Sequence, residues 1–144
     1  PESIAQRGMS FLRKLVHANG VAVDTEVVTV KSKSPGVNLT IWGDWESGLG
    51  GTQSSGARGL RIETVVQTGF EAFVRFYKSE ATLDEYLADQ IIVTAALAES
   101  PSSFKVSRLT SRLLTSIWVI KQFLPIHITV KGKEDQPGTV TIKR

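Results

Sequence analysis

Tyr86, Asp89 and Gln90 stand at positions i, i+3 and i+4, which a helix gathers onto one face. That face offers an aromatic plane, a carboxylate and an amide. A purine can stack on the ring while the amide reads its edge and the carboxylate accepts from a donor or helps hold a cation. Asp89 is therefore the candidate metal ligand as well as a candidate nucleotide contact. The same spacing also describes a solvated helix face with one half-buried tyrosine, and the three residues alone favour that plainer account. A second group is cationic. Lys105, Arg108 and Arg112, joined by Lys121, Arg58 and Arg61, supply the charge an RNA backbone or a terminal phosphate requires. Solvated surface positions read the same way, Lys121 above all.

Two other features invite chemistry and carry less. Gly48 to Gly56 is rich in glycine, and its amides can cradle a phosphate. It lacks the Gly-Lys-Ser/Thr that opens a helix in a P-loop, so a connecting loop is the expectation. The chain has two histidines. His17 falls near the end of the first helix, where it complements the dipole. His127 lies on the strand face opposite Ile126 and Ile128, toward solvent. Neither has triad-like neighbours.

The elements that must position these residues follow from periodicity. Ile4, Met9, Leu12, Leu15 and Val16 repeat at near-helical spacing through Ser3 to Asn19, with Gly20 placed for a left-handed cap. Val21 to Val30 is rich in β-branched residues and reads as a strand. Ser34-Pro35-Gly36 then turns it into a returning strand over Val37 to Trp45. Ile62 to Tyr77 is helical, as is Leu83 to Ala98, with Thr82 or Asp84 available as N-cap. Phe104 to Val106 is a short strand. Leu109, Leu113, Ile117, Ile120 and Leu124 mark an amphipathic helix over Thr110 to Phe123. Ile126, Ile128 and Val130 alternate into a closing hairpin that turns at Asp135 to Gly138. The class is α+β, with helices covering one face of a mostly antiparallel sheet.

The 144 residues suffice for one ordinary domain or two small pieces, and 41% apolar with 22% charged residues is a globular composition. The longest apolar run, Ile91 to Ala98, falls well short of the roughly 18 residues a membrane span needs, so no membrane partner is expected. Absence of cysteine excludes a disulfide framework, a thiolate zinc site and a cysteine nucleophile. It is compatible with a reducing compartment, and a cytoplasmic location is expected. Pro1-Glu2-Ser3 lacks the basic region of a secretory signal, and a start at proline suggests that upstream chain is missing. A net charge of +3 permits a polyanionic partner without arguing for one.

Three stretches, in order, resemble the RNA 3'-terminal-phosphate cyclase family. Pro1 to Arg7 is similar to a segment of that family's inserted subdomain. Leu83-Asp84-Glu85-Tyr86-Leu87-Ala88-Asp89-Gln90 is close to a Tyr-Leu-Ala-Asp-Gln box, followed by an apolar helix. Leu113-Leu114-Thr115-Ser116-Ile117-Trp118-Val119-Ile120 with Phe123-Leu124-Pro125 is similar to a third box. The resemblance covers nearly the whole chain. It implies the last βαβαββ-type repeat over residues 47–144, preceded by part of the smaller inserted α+β subdomain over residues 1–46. It also implies ATP and magnesium, and an RNA 3' end as partner together with the family's N-terminal repeats. In that chemistry a histidine attacks the α-phosphate, AMP passes to an RNA 3'-phosphate, and the 2'-hydroxyl closes a 2',3'-cyclic phosphate.

The resemblance assigns adenine stacking to Tyr86 and the nucleotide pocket to Asp89 and Gln90. Here the sequence departs from the pattern. Arg112 holds the position of the family's nucleophilic histidine, and Ser116 replaces an asparagine four residues on. A neutral imidazole has a lone pair to give. A guanidinium is always protonated and has none, though it binds phosphate bidentately. The expectation is an RNA 3'-terminal-phosphate cyclase family protein that lacks the usual histidine nucleophile. The alternative is a non-catalytic RNA- or nucleotide-binding relative acting in RNA processing or ribosome assembly.

Overall fold

The computed structural model describes residues 2–46 and 48–143. Its elements are α1 (Glu2–Ala18), β1 (Asn38–Trp45), β2 (Gly48–Ser55), α2 (Ile62–Lys78), α3 (Glu85–Leu97), β3 (Ser102–Val106), α4 (Ser111–Phe123), β4 (His127–Lys131) and β5 (Gly138–Lys143). The expected α+β class holds, and helix and strand limits from α2 onward fall within a few residues of the periodicity. Contacts divide the chain into two units, one of residues 1–41 with 52–74, the other of 42–51 with 75–144.

In the first unit, α1 and the body of α2 bury Leu12, Ile62, Val65, Val66, Phe70 and Phe73 together with Ile41 of β1. Gly8 lets the helices approach, since a Cβ there would stand 2.7 Å from Ile62. Arg7 and Glu63 pair at 2.7 Å. Gly20, at φ 63°, takes the left-handed cap foreseen for it.

One expectation fails in this unit. Val21 to Val30 forms no strand, and β1 pairs instead with the glycine-rich Gly48–Ser55. β-Branched residues favour a pleated, half-buried surface, but a strand also needs an edge to pair with. Val27, Val28 and Val30 are exposed, so alternation buries neither face there. The glycine stretch has little strand propensity of its own and was expected to be a loop. It becomes β2 because large rings lie on it. A Cβ at Gly48 would stand 2.5 Å from the Trp45 indole nitrogen, and one at Gly50 would stand 2.4 Å from the Phe76 ring. Only bare backbone permits that approach.

In the second unit, β3, β5 and β4 form a three-stranded antiparallel sheet in that spatial order. Leu83 adds a single parallel bridge to Val106, and another to Leu49. Leu83 makes only these isolated bridges, and the elements that follow it run α3, β3, α4, β4, β5. Ala88, Ile92 and Ala96 of α3 meet Leu113, Ile117 and Ile120 of α4 over Phe104, Val106, Ile128, Val140 and Ile142. Alternation along the strands sends every other side chain to the opposite face.

Candidate functional site

Asp84 sets the start of α3. Its Oδ1 accepts from the amides of Tyr86 and Leu87 at 2.7 and 2.8 Å, and its Oδ2 accepts from the Gly51 amide at 2.8 Å. Of the two N-cap candidates the fold uses Asp84, while Thr82 Oγ1 accepts from the Lys105 amide at 3.2 Å. Asp84 is itself buried, and its three bonds fix the first turn of the helix that carries Tyr86, Asp89 and Gln90.

Along that helix Ala88 and Ile92 point into the core. Tyr86, 54% exposed, and Gln90 lie outside it. Asp89 sits between these environments with its side chain only 10% exposed. Across from it Thr110 caps α4, its hydroxyl accepting from the Leu113 amide at 3.1 Å. Arg112 stands in the first turn of α4, and its Nε lies 3.0 Å from Asp89 Oδ2. The guanidinium side chain is 74% exposed, so it covers Asp89 from the solvent side. A cation at a helix N-terminus opposes the dipole, and the carboxylate of Asp89 offsets that.

The other carboxylate oxygen is unusual. Asp89 Oδ1 is buried and has no hydrogen-bond partner among the described residues. A buried acceptor left unpaired costs on the order of 1–3 kcal/mol. The site thus holds an aromatic face, an amide, an unused acceptor and a guanidinium beside a helix N-terminus. It can bind an anion at Arg112. Among the described residues no three His, Cys, Asp or Glu side chains converge, and Asp89 already faces a positive charge.

The other sequence candidates are not gathered here. Arg108 is held by Asp135 Oδ1, at 3.0 Å from Nε and 2.6 Å from Nη2, and by Glu85 at 3.2 Å. The Asp135 hydrogen bond, then the Asp135 and Glu85 charges, raise its pKa above the ordinary arginine value. It ties the start of α3 to the β4–β5 turn. Lys105 lies between buried Phe104 and Val106, so it points away from α3 and α4. Exposed His127 likewise alternates with buried Ile128 on β4, which puts it on the sheet face away from Arg112. His17 lies in the last turn of α1, in the other unit.

Residues 7–130 match the model of the family RNA 3'-terminal phosphate cyclase. The chain belongs to that family. Over 99% of its length it is 31% identical to the RNA 3'-terminal phosphate cyclase of Methylococcus capsulatus, of which it covers 39%. It is 27% identical to that of Methanopyrus kandleri, covering 43% of it, and 28% identical to that of Pyrococcus furiosus, covering 42%. The chain spans about two fifths of the length of the curated cyclases it matches. Asp84 and the unpaired Asp89 oxygen are the features that residue types alone understate. An acid two residues before the tyrosine signals the cap, whereas the orphan oxygen appears only once α4 is in place.

Proposed function

We propose that this cyclase-family chain binds a nucleotide or an RNA 3'-phosphate at the α3–α4 site and does not itself form the covalent AMP intermediate. The supporting observation is the Arg112–Asp89 pair. A permanently protonated guanidinium stands at the first turn of α4, where the family resemblance places a nucleophilic histidine. Adenine would stack on Tyr86, with Gln90 hydrogen-bonding its edge and the free oxygen of Asp89 accepting from a ligand donor. Arg112 would turn from Asp89 toward the phosphate. If ATP brings magnesium, phosphate oxygens and retained waters would supply its ligands, with Asp89 the carboxylate at hand. On the same reading residues 1–46 correspond to part of the inserted subdomain and 47–144 to the last repeat.

The deciding experiment incubates the protein carrying this chain with α-labelled ATP and magnesium. No covalent AMP should survive denaturation, and ATP should still bind reversibly. A stable adduct on this chain would overturn the loss of the nucleophile. Absence of both ATP and 3'-phosphate binding would overturn the site.

A further inference from the structure

The strand face turned away from α3 and α4 is uncovered among the described residues of its unit, and its composition is one-sided. The register puts Lys105, Thr139 and Lys131 in one cross-strand row, and Ser103, Thr141 and Thr129 in the next. A hydrogen bond of 3.0 Å between the Ser103 and Thr141 hydroxyls confirms that these side chains share a face. Lys143 opposite His127 completes it. All eight positions are basic or hydroxyl-bearing, and none is acidic. Lys105 and Lys131 stand two strand spacings apart, about 10 Å. A face of this kind attracts a polyanion and offers hydroxyls to its oxygens.

The face continues into an open depression of about 930 Å³ whose lining includes Trp45, Tyr77, Lys78, Thr82, Lys105 and Thr139. Trp45 is held in place by ring contacts with Phe76 at 5.6 Å and, edge-on, with Tyr77 at 6.1 Å. Glu80 is the one acidic side chain in that lining. Cations beside fixed aromatic rings suit a strand whose bases are unstacked and available. A duplex would present phosphates to the lysines but no base to the rings.

We infer that this open sheet face and its aromatic depression bind single-stranded RNA along its backbone, apart from the α3–α4 site. Lys105 and Lys131 contact phosphates, and a base enters beside Trp45 and Tyr77. The inference rests on charge and ring placement and stands whether or not the α3–α4 site takes a 3'-phosphate.

The test uses the whole protein and a labelled single-stranded RNA of about 12 nucleotides ending in a 3'-hydroxyl, read by anisotropy across a salt series. Lys105→Glu with Lys131→Glu should weaken binding by about 20-fold or more at roughly 0.1 M salt. The salt slope should become shallower by about 1.4, the value for two lost single-strand phosphate contacts. The neutral pair Lys105→Gln and Lys131→Gln, with melting followed alongside, should show the same slope change in a folded protein. Unchanged affinity and slope in the glutamine pair would overturn the inference. So would displacement of the RNA by polyglutamate at equal charge, which would make the occupant an acidic polypeptide. Added affinity from a 3'-phosphate on the same RNA reports separately on the α3–α4 site.

Discussion

On one face of the β3–β5–β4 sheet the side chains lie under α3 and α4. On the other, the same strands turn lysines and hydroxyls outward. The covered face takes its chemistry from two helices. Its residues come from boxes about 20 positions apart, and an ion pair joins them. The open face has no box at all. Its lysines come from three strands, and simple alternation aligns them. The contrast shows that a motif marks the site where helices must be brought into register. A surface built by strand alternation leaves no comparable mark.

The largest effects should separate the faces by stability. Leu113 is fully buried between α4 and the sheet, so Leu113→Ala should cost about 3–5 kcal/mol. Lys131→Ala, on the exposed face, should stay within about 0.5 kcal/mol. Denaturant titration of both variants checks the pair, and equal losses would mean that the outer face is also packed. Asp84→Ala removes a cap and strands the part-buried Gly51 amide, so a loss of about 1–2 kcal/mol is expected by the same measurement.

A smaller effect sharpens the functional side. Tyr86 is exposed, so Tyr86→Ala should leave thermal stability nearly unchanged. It should weaken ATP binding by about tenfold, as loss of one stacked base does, measured by calorimetry. Equal ATP affinity would remove the stacking role.

The smallest effect concerns Arg108. Arg108→Gln should lower the melting temperature slightly, and the difference should disappear in high salt because the pair is solvent-exposed. Its pKa is raised by folding, so its contribution is fully present below the ordinary arginine range and is lost only as pH climbs through the raised value. Stability from neutral to mildly alkaline pH should therefore be flat in this group. A slope there that disappears in Arg108→Gln would contradict the assignment.

Much of the second unit was legible in residue order. Apolar positions repeating at three and four marked α4, and Ile126, Ile128 and Val130 alternated as β4 requires. The Tyr86, Asp89 and Gln90 spacing gave a helix face, and the family boxes gave the unit its context. The hairpin over residues 21–45 was misread because β-branched composition reports what a strand prefers, not whether an edge lies within reach. The reverse error befell Gly48–Ser55, where the reason for a strand is the Trp45 and Phe76 rings that lie on it.

Periodicity established an α+β chain, and short boxes carried its resemblance to the cyclase family, with an arginine where that resemblance expects a histidine, because both are local quantities. They could not establish that Arg112 rests on Asp89, that Arg108 is held by two acids, or that Lys105 faces away from both. Those relations join residues from about 20 to nearly 30 positions apart, and they exist only where packing against Leu113, Val140 and their neighbours brings the backbones together.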